Sequence, residues 1–150
     1  MRQNSTLACD AVAVHSGTSS MNEGAERPLI WIGRADYGRL LRAMDRLAAD
    51  APDVSAFLSG ELDRAIVRPD GDLPRTIVRM GSRVLFHRAD GMPPEWGELI
   101  FPDQAPTEGQ ITIASPLGAA LLGLREGARM SYIDADGVTR CLTVERVLPA

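Results

Sequence analysis

The stretch Ser115-Pro116-Leu117-Gly118-Ala119-Ala120-Leu121-Leu122-Gly123-Leu124-Arg125-Glu126-Gly127 constrains the fold more than any other part of this chain. It spells a short helix set between two strands. Ile111-Thr112-Ile113 before it is β-branched and suits a strand. Ser115 is placed to cap the first free N–H groups, and Pro116 fits the first helical position, where no N–H is needed. Ala119 to Leu122 are strong helix formers. Gly123 or Gly127 can then supply a left-handed stop, and residues 129–133 read as another strand.

The N-terminal half has a different period. Residues 1–27 are rich in Ser, Thr, Asn and Gly and lack sustained periodicity, which predicts a disordered tail. Met21 stands just before the first apolar run, so translation can begin at Met1 or at Met21. Pro28-Leu29-Ile30-Trp31-Ile32 is extended and apolar. Over residues 35–49, Tyr37, Leu40, Leu41, Met44, Leu47 and Ala48 form one helical stripe. Over residues 51–65, Val54, Phe57, Leu58, Leu62 and Ala65 form a second. With Asp50-Ala51-Pro52-Asp53 as a tight joint, the two stripes imply an antiparallel helical hairpin.

A polar linker, Arg68 to Pro74, separates this from a β region. Strands are predicted at 76–87, 96–101, 111–113, 129–133 and 139–147, with turns at Asp90-Gly91 and Asp136-Gly137. The expected organisation is a tail over 1–27, a hairpin over 28–67, a linker over 68–75 and a C-terminal domain over 76–150. The fold class is α+β, with a small antiparallel sheet and one short helix covering it.

Four blocks stand in a telling order: Glu61-Leu62-Asp63-Arg64-Ala65, Val78-Arg79-Met80-Gly81-Ser82-Arg83-Val84-Leu85-Phe86, Leu99-Ile100-Phe101-Pro102, and Pro116 to Leu124. From about residue 61 to about residue 147 the chain resembles the bacterial Gre transcript-cleavage factors. It is closer to their Gre-like relatives, the regulators of nucleoside diphosphate kinase (Rnk). The resemblance implies an FKBP-like C-terminal domain, a coiled-coil hairpin, and RNA polymerase as partner, gripped at the rim of its secondary channel. Ser115, Pro116 and Leu117 match the docking loop; Ala114 departs from the acidic residue usual before Ser-Pro in Gre factors, which removes a salt bridge to the polymerase. For the Ser-Pro pair taken alone, a plain helix start is the favoured reading.

In Gre factors two acidic residues at the hairpin tip help hold a magnesium ion at the polymerase active site. Asp50 and Asp53 occupy the tip here, and carboxylates suit that hard cation. The favoured reading is capping, with Asp50 as N-cap of the second helix and Asp53 on its dipole. Reach agrees. Helices of about 15 residues span roughly 22 Å, and the Gre hairpin has about twice as many helical residues. The Rnk branch shares the shortened hairpin, which implies channel occupancy in competition with longer factors.

Arg39, Arg42 and Arg46 recur at spacings of three and four, opposite the apolar stripe. They suit RNA or an acidic polymerase surface, although local pairing with Asp45 or Asp50 is the favoured reading.

With 16 Lys+Arg against 20 Asp+Glu, the formal charge of −4 excludes bulk-charge duplex binding and leaves weak local contacts to RNA or DNA. At 45% hydrophobic residues a core is possible, and 5% aromatics make it mostly aliphatic. Cys9 and Cys141 have neither metal spacing nor the density of a disulfide scaffold. No apolar run approaches the roughly 18 residues of a membrane span, and no signal peptide is evident. There is no phosphate loop, zinc spacing or nucleophilic triad, and His15 and His87 have no catalytic context. The expectation is a monomeric, cytoplasmic transcription regulator with no catalytic residues, metal site, cofactor or membrane contact. Three rivals stand: a cleavage stimulator using Asp50 and Asp53; a prolyl isomerase, for which Phe86, Trp96, Phe101 and Tyr132 would have to line a pocket; and, as the name of the resembled family suggests, a regulator of nucleoside diphosphate kinase levels, for which the sequence offers no direct contact, so that any such effect is indirect.

Overall fold

The computed structural model describes residues 27–88 and 92–150. Residues 1–26 of the tail expected over 1–27, and the turn at Asp90-Gly91, lie outside the described residues. Helix α1 spans Arg34–Asp50 and helix α2 spans Pro52–Arg64. Only Ala51 separates them, and its N–H donates to the Leu47 carbonyl at 2.7 Å. Ala51 therefore closes α1 and opens α2, with Pro52 in the first turn and no side-chain cap. Asp50, expected as the cap, is instead the last residue of α1: a one-residue joint moves the capping position past it.

Leu40 and Leu47 of α1 bury together with Val54, Leu58 and Leu62 of α2. Leu41 and Ala48, counted into the first stripe, are exposed. A helix with neighbours on one side buries a narrower strip than its apolar residues span.

Strands β1 (Trp31–Gly33) and β2 (Ile66–Arg68) flank the hairpin and pair in parallel. Parallel neighbours need a crossover, and the hairpin is that crossover. β2 is not among the predicted strands: its residues run from just past the last position of the second helical stripe, Ala65, to Arg68, where the polar linker opens. That linker also carries a 3-10 turn at Asp70–Asp72 and the buried Leu73. Arg27, expected in the tail, pairs with the fully buried Glu61 at 2.6 Å, and Arg64 joins from the other side at 2.7 Å. A buried carboxylate is tolerable when paired and hydrogen-bonded in this way.

The main sheet contains β3 (Arg83–Arg88), β4 (Glu95–Ile100), β5 (Gln110–Thr112), β6 (Arg129–Ile133) and β7 (Thr139–Leu148), in the spatial order β5-β4-β3-β7-β6. It is not wholly antiparallel as expected, because β4 and β5 run parallel. The connection over 101–109 is long enough to carry the chain back before β5 begins, where a tight turn would have reversed it. β3 starts later than predicted. Residues 79–82 make a turn in which the Arg79 N–H donates to Ser82 Oγ at 2.9 Å, and Gly81 takes φ +88°. A bulge at Leu85/Phe86 leaves Glu145 out of the ladder, 2.5 Å from His87 Nδ1.

Helix α3 (Pro116–Leu121) covers the sheet. One apolar cluster runs from Leu47 and Leu58 through Leu121 and Leu124 to Phe86, Leu142 and Val144. The hairpin and the sheet thus share a core.

Candidate functional site

The corner before α3 is built from backbone accounting. Ser115 Oγ accepts the Gly118 N–H at 3.1 Å and donates to the Thr112 carbonyl at 2.7 Å. The Ser115 N–H donates to that same carbonyl at 3.0 Å, and Thr112 Oγ1 takes the Ala114 N–H at 3.1 Å. A side chain at Gly118 would place Cβ 2.1 Å from the Thr112 oxygen, so only glycine lets α3 sit this close to β5. Gly123, at φ +81°, accepts the Trp31 N–H at 3.0 Å and would meet Ile30 if it carried a Cβ. Helix α3 is thereby held at one end by β5 and at the other by the entry to the hairpin. Ser115, Pro116 and Leu117 are each partly exposed. They form a small, rigid, mixed polar and apolar corner, which loses little freedom on binding.

At the far end of the hairpin, Asp50 and Asp53 flank Ala51 and are both exposed. α1 has 17 residues and α2 has 13, lengths of about 25 Å and about 20 Å.

Arg39, Arg42 and Arg46 are exposed along α1, but their ridge is not free on both sides. It forms one wall of a groove of about 420 Å³, and Phe101, Pro102 and Asp103 form the other. The Arg39 guanidinium lies 3.7 Å from the centre of the Phe101 ring, a cation–π contact that orients it. None of the ion pairs among the described residues involves Arg42 or Arg46, so the local pairs with Asp45 or Asp50 are not formed. The Phe101 wall was not legible in sequence; its only signal was an apolar Phe-Pro closing a strand.

The three sets of residues sit on different parts of the fold: the corner at the start of α3, the acids at the joint of α1 and α2, the arginines along α1. Of the four aromatic residues, Phe86, Phe101 and Tyr132 are buried, and exposed Trp96 lies under Arg83 at 5.3 Å. Phe86 and Tyr132 are taken up by the core and do not join Phe101 in lining the groove.

The chain as a whole is similar to known proteins. The family model described as "Transcription elongation factor, GreA/GreB, C-term" matches residues 73–149, which include the whole main sheet and the Ser115 corner. Two proteins called "Regulator of nucleoside diphosphate kinase", from Escherichia coli (strain K12) and Shigella flexneri, are each 31% identical over 119 residues, 79% of this chain and 88% of theirs. The solved "Prokaryotic transcription elongation factor GreA/GreB from Nitrosomonas europaea" is similar with a TM-score of 0.63 and 30% identity, over 81% of this chain and 98% of that one.

Proposed function

Since the chain belongs to the GreA/GreB family of transcription elongation factors, we propose that it regulates transcription by binding RNA polymerase at the rim of the secondary channel. The Ser115-Pro116-Leu117 corner docks on the rim, and the hairpin enters the mouth of the channel. It acts by occupancy, excluding longer channel-binding factors, and performs no catalysis of its own. Arg39, Arg42 and Arg46 add weak contacts to RNA, DNA or an acidic polymerase surface. We further assign the main sheet with α3 an FKBP-like topology and the hairpin a short coiled coil. Functional units are taken as 28–67, 68–75 and 76–150, in a monomeric cytoplasmic protein. No helix among the described residues is long and apolar enough to cross a membrane.

The observation that carries this reading is the hairpin's length, 17 and 13 residues in the two helices. A helix about 25 Å long supports plugging better than delivery of a ligand to a buried catalytic ion. One fact favours the alternative, stimulation of transcript cleavage: Asp50 and Asp53 are exposed at the tip, and Asp50 is not the cap of α2. Carboxylate oxygens at such a tip suit magnesium held by the polymerase.

The deciding test is titration of the full chain against core RNA polymerase with a Gre factor as competitor. Saturable, mutually exclusive binding with no gain in RNA cleavage is expected. Cleavage that appears with this chain and disappears in Asp50→Ala/Asp53→Ala would establish the alternative instead. Absence of binding at tens of micromolar, a Kd weaker than about 10⁻⁵ M, would overturn both.

A further inference from the structure

We infer that Asp70 is a positioning residue that aims the hairpin relative to the main sheet. α1 begins after Gly33, which has no side chain to cap it. The cap comes from elsewhere in the chain: Asp70 Oδ1 accepts the Ala35 N–H at 3.0 Å. The other oxygen, Oδ2, meets Arg79 Nη2 at 3.3 Å, and Arg79 Nη1 donates to the Asp70 carbonyl at 3.5 Å. Arg79 opens the turn that leads into β3. A reciprocal tie runs the other way, because Asp36 of α1 accepts the Met80 N–H at 3.3 Å. Gly33 lies close against this knot; a Cβ there would sit 3.1 Å from Asp70 Oδ1 and 3.2 Å from Leu73 Cδ1.

The shared apolar core holds the hairpin onto the sheet, but apolar contact is non-directional. Hydrogen bonds have preferred angles, and three elements are cross-linked by them at the point where α1 starts. Leverage makes this point decisive. α1 is about 25 Å long, so a change of about 10° at its base moves the tip by about 4 Å. The inference does not depend on the proposed partner, since it concerns the free protein.

The test is the distance distribution between spin labels at the exposed positions Ala49 and Val138, introduced as non-natural amino acids so that Cys9 and Cys141 remain. The unsubstituted chain is expected to give one narrow distance. Asp70→Ala is expected to broaden or shift it by about 4 Å, with helix content retained. Asp70→Asn, which keeps an acceptor for Ala35, should change it less. If Asp70→Ala does not fold, Arg79→Met carries the test, because it cuts the link to the sheet and leaves the α1 cap in place; broadening is again expected. A distribution in the folded variant as narrow as that of the unsubstituted chain, at the same distance, overturns the proposal. So does a broad distribution in the unsubstituted chain.

Discussion

Asp36 shows how one side chain can be both a tie and a cost. Burial raises its pKa from the ordinary carboxylate value, against the lowering effects of the Met80 N–H and Arg79. The folded state therefore holds this proton to higher pH than the unfolded state does. Stability from this group is greatest at low pH and falls as pH rises from the ordinary carboxylate value through the raised one. Asp36→Asn keeps an oxygen for Met80 and removes the charge. The stability of that variant relative to the parent should rise in denaturant titrations as pH increases from the ordinary carboxylate value through the raised one. Gly118 is a sharper case. Its missing Cβ is what lets the Thr112 carbonyl approach α3. Gly118→Ala should cost about 2–3 kcal/mol, after the small gain in helix propensity, as read from the denaturation midpoint. Both effects arise between residues far apart or newly adjacent in space. Gly118 stands in a motif readable in sequence and Asp36 in none; the partners of both are legible only in the fold.

At the scale of elements, α3 is the clearest success of local chemistry. Its cap, its first-turn proline and its glycine stop all fall where composition puts them, because each acts through neighbours within a few residues. Ser115→Ala should destabilise the fold by about 1 kcal/mol, measured by chemical unfolding. Ser115→Asp should restore only part of this, since it accepts from Gly118 but has no proton to give the Thr112 carbonyl. The hairpin was legible too, through the period of its apolar residues, yet its joint was misread by one position and Leu41 was assigned inward. The parallel pairs β1–β2 and β4–β5 were not legible. Strand direction depends on where the intervening chain travels, and short strands carry no mark of it.

The molecule as a whole is more unified than its sequence suggests. A polar linker with proline and glycine reads as a boundary, but β2, the 3-10 turn and buried Leu73 tie it into the structure. Because one apolar cluster spans hairpin and sheet, thermal unfolding should be a single transition. Signals from the helices and from the buried aromatic residues should coincide, and separate midpoints would show two independent units. What the sequence by itself determined is local or periodic: the helices, most strands, the capped corner at Ser115, and the tip and stripe residues as candidates. Four ordered blocks also carried the family resemblance. Only the tertiary structure decided the rest. It placed Phe101 against Arg39, brought Arg27 and Arg64 to Glu61, and let Asp70 cap a helix that begins 36 positions earlier, at Arg34. The physical reason is range. Caps, turns and periodicity are settled within a turn or two of chain, whereas ion pairs, close backbone approaches and domain angles depend on surfaces that meet only after folding.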